Sequence, residues 1–245
     1  MSYTIHPINL GDIEIDYSFL VWGTNQGTKT WVPTTSYLIL GADKPIFVDA
    51  SFRNVSDLLA SSGLVARRTE EHDLATQLAR FNLTPSDIGY LIHTHCHLDH
   101  TGLDDQFTNA KILVQREDLR YAGAPLFPEV FYDRVDIAKI VGPLWSHVQQ
   151  LDGDTELFPG IRTVVVGGHA PGMQMIYIDL PSGQAIITGD AAYLADMNVG
   201  LQVPMGYYYS LSDVMRALAR IKRDAKYILP IHDPSIVEKY GQGLE

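Results

Sequence analysis

The chain has 245 residues, 46% of them hydrophobic, which is enough for the core of a soluble globular protein. A net charge of −11 argues against nucleic acid and anionic membranes as partners, because both would be repelled. No apolar run approaches the roughly 20 residues of a membrane helix, and the N-terminus lacks a basic region followed by an apolar one. The single cysteine, Cys96, excludes an intrachain disulfide and fits a reducing compartment, so we expect a cytoplasmic protein.

Eight runs of strand length are rich in β-branched and aromatic residues. In chain order they are residues 35–40, 45–49, 88–92, 111–114, 161–166, 175–180, 184–188 and 226–229. Because no repeat, low-complexity tract or Ser/Gly linker divides the chain, we expect one domain over residues 1–245.

Helical patterns lie between these strands. Thr69, followed by two glutamates, is typical of a helix N-terminus and predicts a helix over residues 69–81. Ser210, with Asp213 three residues later, predicts the start of another helix with one apolar face. Residues 117–150 predict a mixture of helix and loop. Strands first, then strands alternating with helices, indicate layers of sheet covered by helices.

Four of the nine histidines fall in the stretch LIHTHCHLDHTG, residues 91–102. Its centre has the pattern His-x-His-x-Asp-His, formed by His95, His97, Asp99 and His100. Imidazole nitrogens and carboxylates bind zinc and neighbouring divalent ions, and the loop follows a predicted strand, where sites are commonly built. The alternative is a solvated histidine-rich loop or an incidental metal-binding surface.

Three distant residues decide between these alternatives, and each follows a predicted strand. They are His169 in VVVGGHAPG, Asp190 in AIITGDAAY and His232 in YILPIHDP. Each alone fits a core histidine or a turn-forming aspartate. Together with the cluster they favour a catalytic metal site, because one short loop cannot direct enough ligands at an ion.

This order of motifs resembles the metallo-β-lactamase superfamily over about residues 33–233. Within it, the sequence is most similar to the N-acyl homoserine lactone lactonases, which degrade quorum-sensing signals. Tyr193, three residues after Asp190, and the strand pair YLILGADKPIFVDAS carry that similarity. The resemblance implies an αββα sandwich of two mixed β-sheets flanked by helices.

The resemblance also implies a dinuclear site with two divalent ions per chain, Zn²⁺ being expected and Co²⁺, Mn²⁺ or Fe²⁺ the alternatives. It implies that a hydroxide between the ions attacks the lactone carbonyl, that Tyr193 stabilises the oxyanion, and that Asp99 or a metal-bound water protonates the leaving alkoxide. The implied ligands are His95, His97 and His169 for the first ion, Asp99, His100 and His232 for the second, and Asp190 for both.

Some positions depart from the family pattern or are unassigned. Met173 stands where many members have a second histidine, and Asp49-Ala50-Ser51 replaces an Asp-Thr-Gly turn, so we expect changed packing and a differently shaped loop. Cys96 is expected to pack in the core, and His93 is expected to contact backbone instead of a metal. The aromatic residues that could line a substrate mouth, or could be core, are Trp22, Trp31, Phe127, Phe131, Tyr132, Trp145 and 207–209.

Several functions remain open at this point. The expected partner is a small-molecule lactone, without nucleic acid or membrane, and a homodimer is compatible with the sequence. The same site could instead act on another lactone, a thioester as in glyoxalase II, a β-lactam or a phosphodiester. A phosphodiester is disfavoured because Lys and Arg are sparse around the ligand segments. A non-catalytic metal-binding module would not need an open, bridged pair of ions.

Overall fold

The computed structural model describes residues 2–126 and 129–245. In these residues, the first sheet has seven strands in the order β4-β1-β2-β3-β5-β6-β7. Neighbouring strands from β4 through β1 and β2 to β3 are antiparallel, whereas neighbouring strands from β3 through β5 and β6 to β7 are parallel. The strands are β1 Thr4–Asp16, β2 Lys29–Leu40, β3 Ile46–Val48, β4 Val65–Arg67, β5 Tyr90–Ile92, β6 Lys111–Gln115 and β7 Val148–Leu151.

The second sheet, within the same described ranges, has five strands in the order β12-β11-β10-β9-β8. Only the pair of β11 and β12 in this part of the chain is parallel, so both sheets are mixed. The strands are β8 Thr155–Phe158, β9 Ile161–Val165, β10 Gln174–Leu180, β11 Gly183–Gly189 and β12 Tyr227–Pro230.

The helices lie mainly in the connections between strands. Short 3₁₀ turns occur at Glu70–His72, Pro85–Asp87, Asp104–Gln106 and Trp145–His147, and a π turn at Ala195–Gly200. No helix of the described residues is long and apolar enough to cross a bilayer. The α-helices are α1 Tyr17–Leu20, α2 Val55–Ser62, α3 Leu74–Ala79, α4 Arg116–Gly123, α5 Arg134–Val141, α6 Leu211–Asp224 and α7 Ser235–Tyr240.

The core consists of an inner layer between the sheets and an outer layer on each sheet. In β2, Tyr37 and Ile39 belong to the inner cluster, together with Ile176 and Ile187 from the second sheet. Leu38, between them, packs outward with α3, as its side chain must because successive strand residues point to opposite faces. The outer face of the second sheet packs on α6. This is the expected αββα sandwich.

All eight predicted strand regions contain strands in the structure, but the predicted helix over residues 69–81 is wrong as a single element. The chain forms a 3₁₀ turn and then α3, with Asp73 between them in an extended conformation. The Asp73 carboxylate accepts a hydrogen bond from the Thr76 amide at 3.1 Å, so it caps a new helix. The prediction at Ser210 is confirmed, because its hydroxyl accepts from the Asp213 amide at the start of α6.

The sequence did not predict β1, the longest strand of the first sheet in the described residues. Pro7 and Gly11 interrupt its pattern and are typical of strand ends and turns. In the structure, Pro7 lies opposite Tyr37, and Gly11 lies where the pairing with β2 shifts register. Gly11 has φ +146°, and an added Cβ there would lie 2.7 Å from Phe52 Cζ. A β-bulge therefore requires this glycine.

Candidate active site

The seven predicted ligands lie in loops that follow four strands. β5 ends at Ile92 and leads into the loop with His95, His97, Asp99 and His100, and β9 ends at Val165 before the loop with His169. β11 ends at Gly189, directly before Asp190, and β12 ends at Pro230, two residues before His232. The sandwich thus brings residues separated by up to 137 positions (232 − 95) to one end of the two sheets.

The side chains of these residues converge into three overlapping groups, within each of which the ligand atoms lie no more than 4.8 Å apart. Asp190 is central, since its Oδ2 lies 3.3 Å from His169 Nε2 and its Oδ1 lies 3.3 Å from His232 Nε2. This position between two sets is the one that a bridging carboxylate needs. The groups are His95, His97 and His169; His95, His100 and Asp190; and Asp99, His100 and His232.

The buried polar atoms of this cluster indicate that it is built for a cation. Among residues 2–126 and 129–245, His95 Nε2, His100 Nε2 and Asp190 Oδ1 are buried without a hydrogen-bond partner. Such unsatisfied atoms cost free energy, on the order of 1–3 kcal/mol each. A divalent ion would satisfy all three, and a donor set of imidazole nitrogens and carboxylates suits zinc and its neighbours. The residues present therefore fit a metal centre.

Four of the histidines use their other ring nitrogen to contact the surrounding protein. His95 Nδ1 lies 3.1 Å from Thr94 Oγ1, His100 Nδ1 lies 3.0 Å from Asp49 Oδ2, and His169 Nδ1 lies 3.3 Å from the Tyr207 carbonyl. His232 Nδ1 lies 2.8 Å from the Pro33 carbonyl. Contacts of this kind orient the ring so that Nε2 faces the ligand cluster.

The pKa values of the histidines in the cluster shift in different directions. Burial, together with the neighbouring imidazoles, holds the pKa values of His95 and His97 well below the usual range, which keeps them neutral and able to bind a metal. Burial also lowers the pKa of His100, but the carboxylates of Asp190 and Asp99 outweigh it and the net shift is upward. Burial raises the pKa of Asp190, yet His232 and His100 more than compensate and keep it ionised.

The loop of Asp49 to Ser51 supports the cluster from below. The Asp49 carboxylate accepts hydrogen bonds from the Thr94 amide at 2.8 Å and the Thr94 hydroxyl at 2.7 Å, besides its contact with His100. Asp49 and Ser51 both have left-handed backbone conformations, with φ of 57° and 47°. Arg68 donates to Ser51 Oγ and to the carbonyl of Phe52. These contacts hold a loop in which Ser51 lacks the freedom of a glycine.

His93 does not contact backbone through its ring, so that prediction is wrong. The ring is fully buried between two carboxylates, with Nε2 3.0 Å from Asp104 Oδ2 and Nδ1 3.5 Å from Asp49 Oδ1. Burial lowers the pKa of His93, but Asp104 and Asp49 outweigh it and raise the pKa to about 9. The ring lies outside the three groups that could hold an ion. It links Asp104 to the Asp49 that contacts His100.

The other two unassigned residues are packed in the core. Cys96 is fully buried in an apolar cluster with Val114, Tyr132 and Ile140, and burial followed by the Asp118 carboxylate raises the pKa of its thiol. Met173 is fully buried against the second sheet. An added Cβ on Gly189 would lie 2.5 Å from Met173 Cε. Both residues therefore have packing roles.

A cavity of about 160 Å³ opens onto the cluster. Its lining combines polar groups of the cluster, including Asp99 and Tyr193, with several apolar side chains and with Asp16 and Lys29. Of the aromatic candidates, Phe131 and Tyr207 line the cavity, Tyr132 is buried, and Phe127 lies outside the described residues. Trp22, Trp145 and Tyr209 are exposed, and Trp31 packs beneath Arg67.

The apolar part of the cavity lining was not predicted from the sequence. Ile13 and Ile15 come from β1, Phe19 comes from α1, and Leu64 directly precedes β4. The alternation of isoleucine with acidic residues in DIEID was the available signal, since it places both isoleucines on one face of a strand.

Tyr193 lies between the cluster and the cavity. Its ring packs edge-on against His232 at 5.2 Å and His169 at 5.8 Å, and its hydroxyl lies 3.5 Å from His169 Nδ1. Burial, followed by the carboxylates of Asp190 and Asp99, raises the pKa of the phenol well above its usual value. The hydroxyl therefore stays protonated and can act as a hydrogen-bond donor.

Comparisons with known proteins agree with this architecture. The family model of the metallo-β-lactamase superfamily matches residues 30–232. An N-acyl homoserine lactonase from Bacillus thuringiensis is 26% identical over 241 residues, covering 94% of this chain and 92% of the relative. The N-acyl homoserine lactonase AttM of Azorhizobium caulinodans is 33% identical over 177 residues, covering 67% of this chain and 65% of that protein.

A solved structure of an N-acyl homoserine lactone hydrolase, with the product N-hexanoyl-L-homoserine bound at its catalytic metal centre, is also similar. It superposes with a TM-score of 0.81 at 25% identity, covering 98% of this chain and 97% of that one. The two mixed sheets flanked by helices are thus shared across nearly the whole chain. The protein belongs to the metallo-β-lactamase superfamily, and its sequence and fold are similar to those of the N-acyl homoserine lactonases within it.

Proposed function

We propose that the protein is a metal-dependent hydrolase that opens the ring of N-acyl homoserine lactones. The observation that carries this proposal is a cavity whose lining combines the histidine and aspartate cluster with apolar side chains. An acyl homoserine lactone has a polar ring, which suits the cluster, and an apolar chain, which suits the apolar side chains. The names of the relatives support the same substrate class.

The proposal includes a dinuclear centre. Two divalent ions bound there would supply a hydroxide nucleophile near neutral pH and a Lewis acid for the carbonyl. The central position of Asp190, within 4 Å of four histidines, supports its assignment as the shared ligand. The proposed sets are His95, His97 and His169 for one ion and Asp99, His100 and His232 for the other.

The chain's own residues would act on the lactone as follows. The Tyr193 hydroxyl donates a hydrogen bond to the carbonyl oxygen as negative charge develops there. Asp99 is the most exposed of the seven proposed ligands, at 8%, and lines the cavity. Its carboxylate can accept the proton of the attacking water and return it to the leaving alkoxide oxygen. The wall of Ile13, Ile15 and Phe19 excludes water and binds the acyl chain.

The charge of the cavity argues against an anionic phosphodiester. Lys29 is the only cationic side chain that lines it in the described residues. Phosphate binding commonly uses several charged donors, arginine above all. The apolar wall does not distinguish an acyl homoserine lactone from a thioester or a β-lactam, so those substrates belong in the test.

The test measures kcat/KM of zinc-loaded protein on four substrates: N-hexanoyl homoserine lactone, a glutathione thioester, a chromogenic β-lactam and an aryl phosphodiester. We expect the lactone to be preferred by about 100-fold or more, in line with the names of the relatives. Asp190→Asn, carried through the same panel, controls for a contaminating hydrolase. A thioester or β-lactam cleaved faster than the lactone would refute the proposed substrate class.

A further inference from the structure

Asp118, the third residue of α4, is a fully buried carboxylate with no part in the chemistry described above. It belongs neither to the cavity lining nor to the groups that could hold an ion. Its Oδ2 accepts a hydrogen bond from the Cys96 amide at 2.6 Å. Its Oδ1 accepts from the Tyr132 hydroxyl at 3.1 Å and from the Gly172 amide at 3.3 Å.

The three donors all belong to the surroundings of one proposed ligand set. The Cys96 amide lies in the chain between His95 and His97, and the Gly172 amide lies three residues after His169. The Tyr132 ring packs edge-on against the His97 imidazole, with centroids 4.6 Å apart and an interplanar angle of 76°. One carboxylate therefore contacts both loops that present the three histidines, and also the ring that packs against His97.

We infer that Asp118 is a positioning residue of the metal centre, which fixes the loops of His95, His97 and His169 relative to each other. The inference rests on the proposed metal centre but is independent of the lactone as substrate. The second ligand set, Asp99, His100 and His232, has supports that do not involve Asp118, namely the Pro33 carbonyl and Asp49, which also holds Thr94 beside His95. Loss of Asp118 should therefore affect the first set selectively.

The packing of the second loop on α4 is independent support. A Cβ added to Gly172 would lie 2.2 Å from the Asp118 backbone nitrogen and 2.6 Å from its Cα. The loop that follows His169 therefore lies directly on the backbone of this helix, and only glycine fits there. The short distance brings the Gly172 amide to the carboxylate.

A carboxylate suits this position better than an amide would. The three partners are all donors, so the side chain must offer acceptors on both of its oxygens. Burial raises the pKa of Asp118, and its hydrogen bonds to Cys96, Tyr132 and Gly172 oppose that shift only in part. An asparagine would turn its NH₂ group towards at least one of these donors. Asp118→Asn is thus a minimal change in shape that breaks the contact between the loops.

The test measures zinc affinity by competition with a chromophoric chelator, in two backgrounds that isolate the ligand sets. His232→Ala leaves the three-histidine set as the strongest site, and His169→Ala leaves the other set. Adding Asp118→Asn should weaken zinc binding about 10- to 100-fold in the first background, as is typical for groups that orient ligands. In the second background it should change affinity less than about threefold. Equal losses in both backgrounds, or no loss in either, would overturn the inference.

A matched control is Asp136→Asn, on the neighbouring helix α5. Asp136 is also a buried carboxylate, 2% exposed, but its partner is Arg53 and it contacts neither loop. We expect it to lower the thermal unfolding temperature of the metal-free protein without changing zinc affinity in either background. If it reproduced the selective loss, the effect of Asp118→Asn would be one of general stability, and the inference would be wrong.

Should Asp118→Asn fail to fold, Tyr132→Phe provides the second variant. It keeps the ring against His97 and removes one of the three donors. We expect a smaller, roughly three- to tenfold loss of zinc affinity confined to the three-histidine set. Unchanged affinity in a folded Tyr132→Phe protein would contradict the positioning role. Because these experiments use no substrate, their outcome is separate from that of the lactone test.

Discussion

Replacing Tyr193 by phenylalanine tests the proposed reaction directly. The variant retains the ring that packs against His169 and His232 and removes only the hydroxyl of this cavity-lining residue. Since Tyr193 is not among the proposed metal ligands, the metal content should not change. The hydroxyl should matter most when negative charge develops on the carbonyl oxygen, so the loss is expected in kcat more than in KM.

The structure indicates the size of two expected effects of the variant, one on the free energy of unfolding and one on kcat. His169 Nδ1 lies 3.5 Å from the Tyr193 hydroxyl but also 3.3 Å from the Tyr207 carbonyl. It therefore keeps a partner in the variant, and the free energy of unfolding should change by less than about 1 kcal/mol. Loss of one oxyanion donor that shares its role with metal should cost roughly 1 to 3 kcal/mol, on the order of ten- to a hundredfold in kcat.

The assay compares wild type and Tyr193→Phe on N-hexanoyl homoserine lactone, with zinc content and thermal unfolding measured on the same samples. Tyr207→Phe is a suitable control, because that hydroxyl donates to Glu129, which is not among the residues that line the cavity, and not to the cluster. An unchanged lactone rate in Tyr193→Phe would refute its role. A loss of zinc would show that the hydroxyl acts on the metal centre instead.

Three further predictions concern metal and packing. Removing the metal with a chelator should lower the unfolding temperature by roughly 8 to 16 °C, because a bound ligand at a thousandfold excess over Kd adds about 4 kcal/mol to the free energy of unfolding. Calorimetry with and without zinc measures this difference. An unchanged unfolding temperature would argue against a buried metal centre. Asp190→Asn should abolish turnover and reduce the zinc content below two ions per chain while circular dichroism stays native; wild-type zinc and rate would remove Asp190 from the site. Gly172→Ala should destabilise the fold by about 1–3 kcal/mol in denaturant titrations, since its Cβ would lie 2.2 Å from the Asp118 nitrogen. Gly123→Ala is the control, because no described atom lies within 4 Å of the new Cβ, and it should be neutral or stabilising.

The structure brings the seven candidate residues close together, and the sequence signal that singled them out is local. A histidine or aspartate directly after a run of β-branched residues lies at a strand end, and strand ends in this fold meet at one place. The loop after β5 contributes four of the proposed ligands, and β11 and β12 each contribute one within two residues of their last residue. The positions of these residues after strands follow from the local sequence, whereas their assignment as metal ligands follows from the family resemblance and stays a prediction.

The apolar part of the cavity lining was not predicted, although the alternation in DIEID is a local signal for it. This lining depends on β1, a strand of 13 residues whose proline and glycine interrupt the sequence pattern that would predict it. Only the pairing with β2 shows that Pro7 is accommodated and that Gly11 forms a bulge. The inward side chains of Ile13 and Ile15 follow from that register. The long-range pairing of β1 with β2 thus determines which of its side chains join the cavity lining.

The supports of the ligand cluster were missed for a related physical reason. His93 was expected to contact backbone, yet its ring lies between Asp104 and Asp49, and the latter also contacts His100. Asp118 accepts from backbone amides that lie 22 and 54 positions away in the chain. A backbone amide is the same in every residue except proline, so no residue type marks it as the partner of a distant carboxylate. A candidate ligand can therefore be recognised from its residue type. The residue that holds the ligand's loop in place can be recognised only from the folded structure. Variants of Asp118 and His93 therefore test the contacts that support the ligand loops, which sequence motifs alone do not identify.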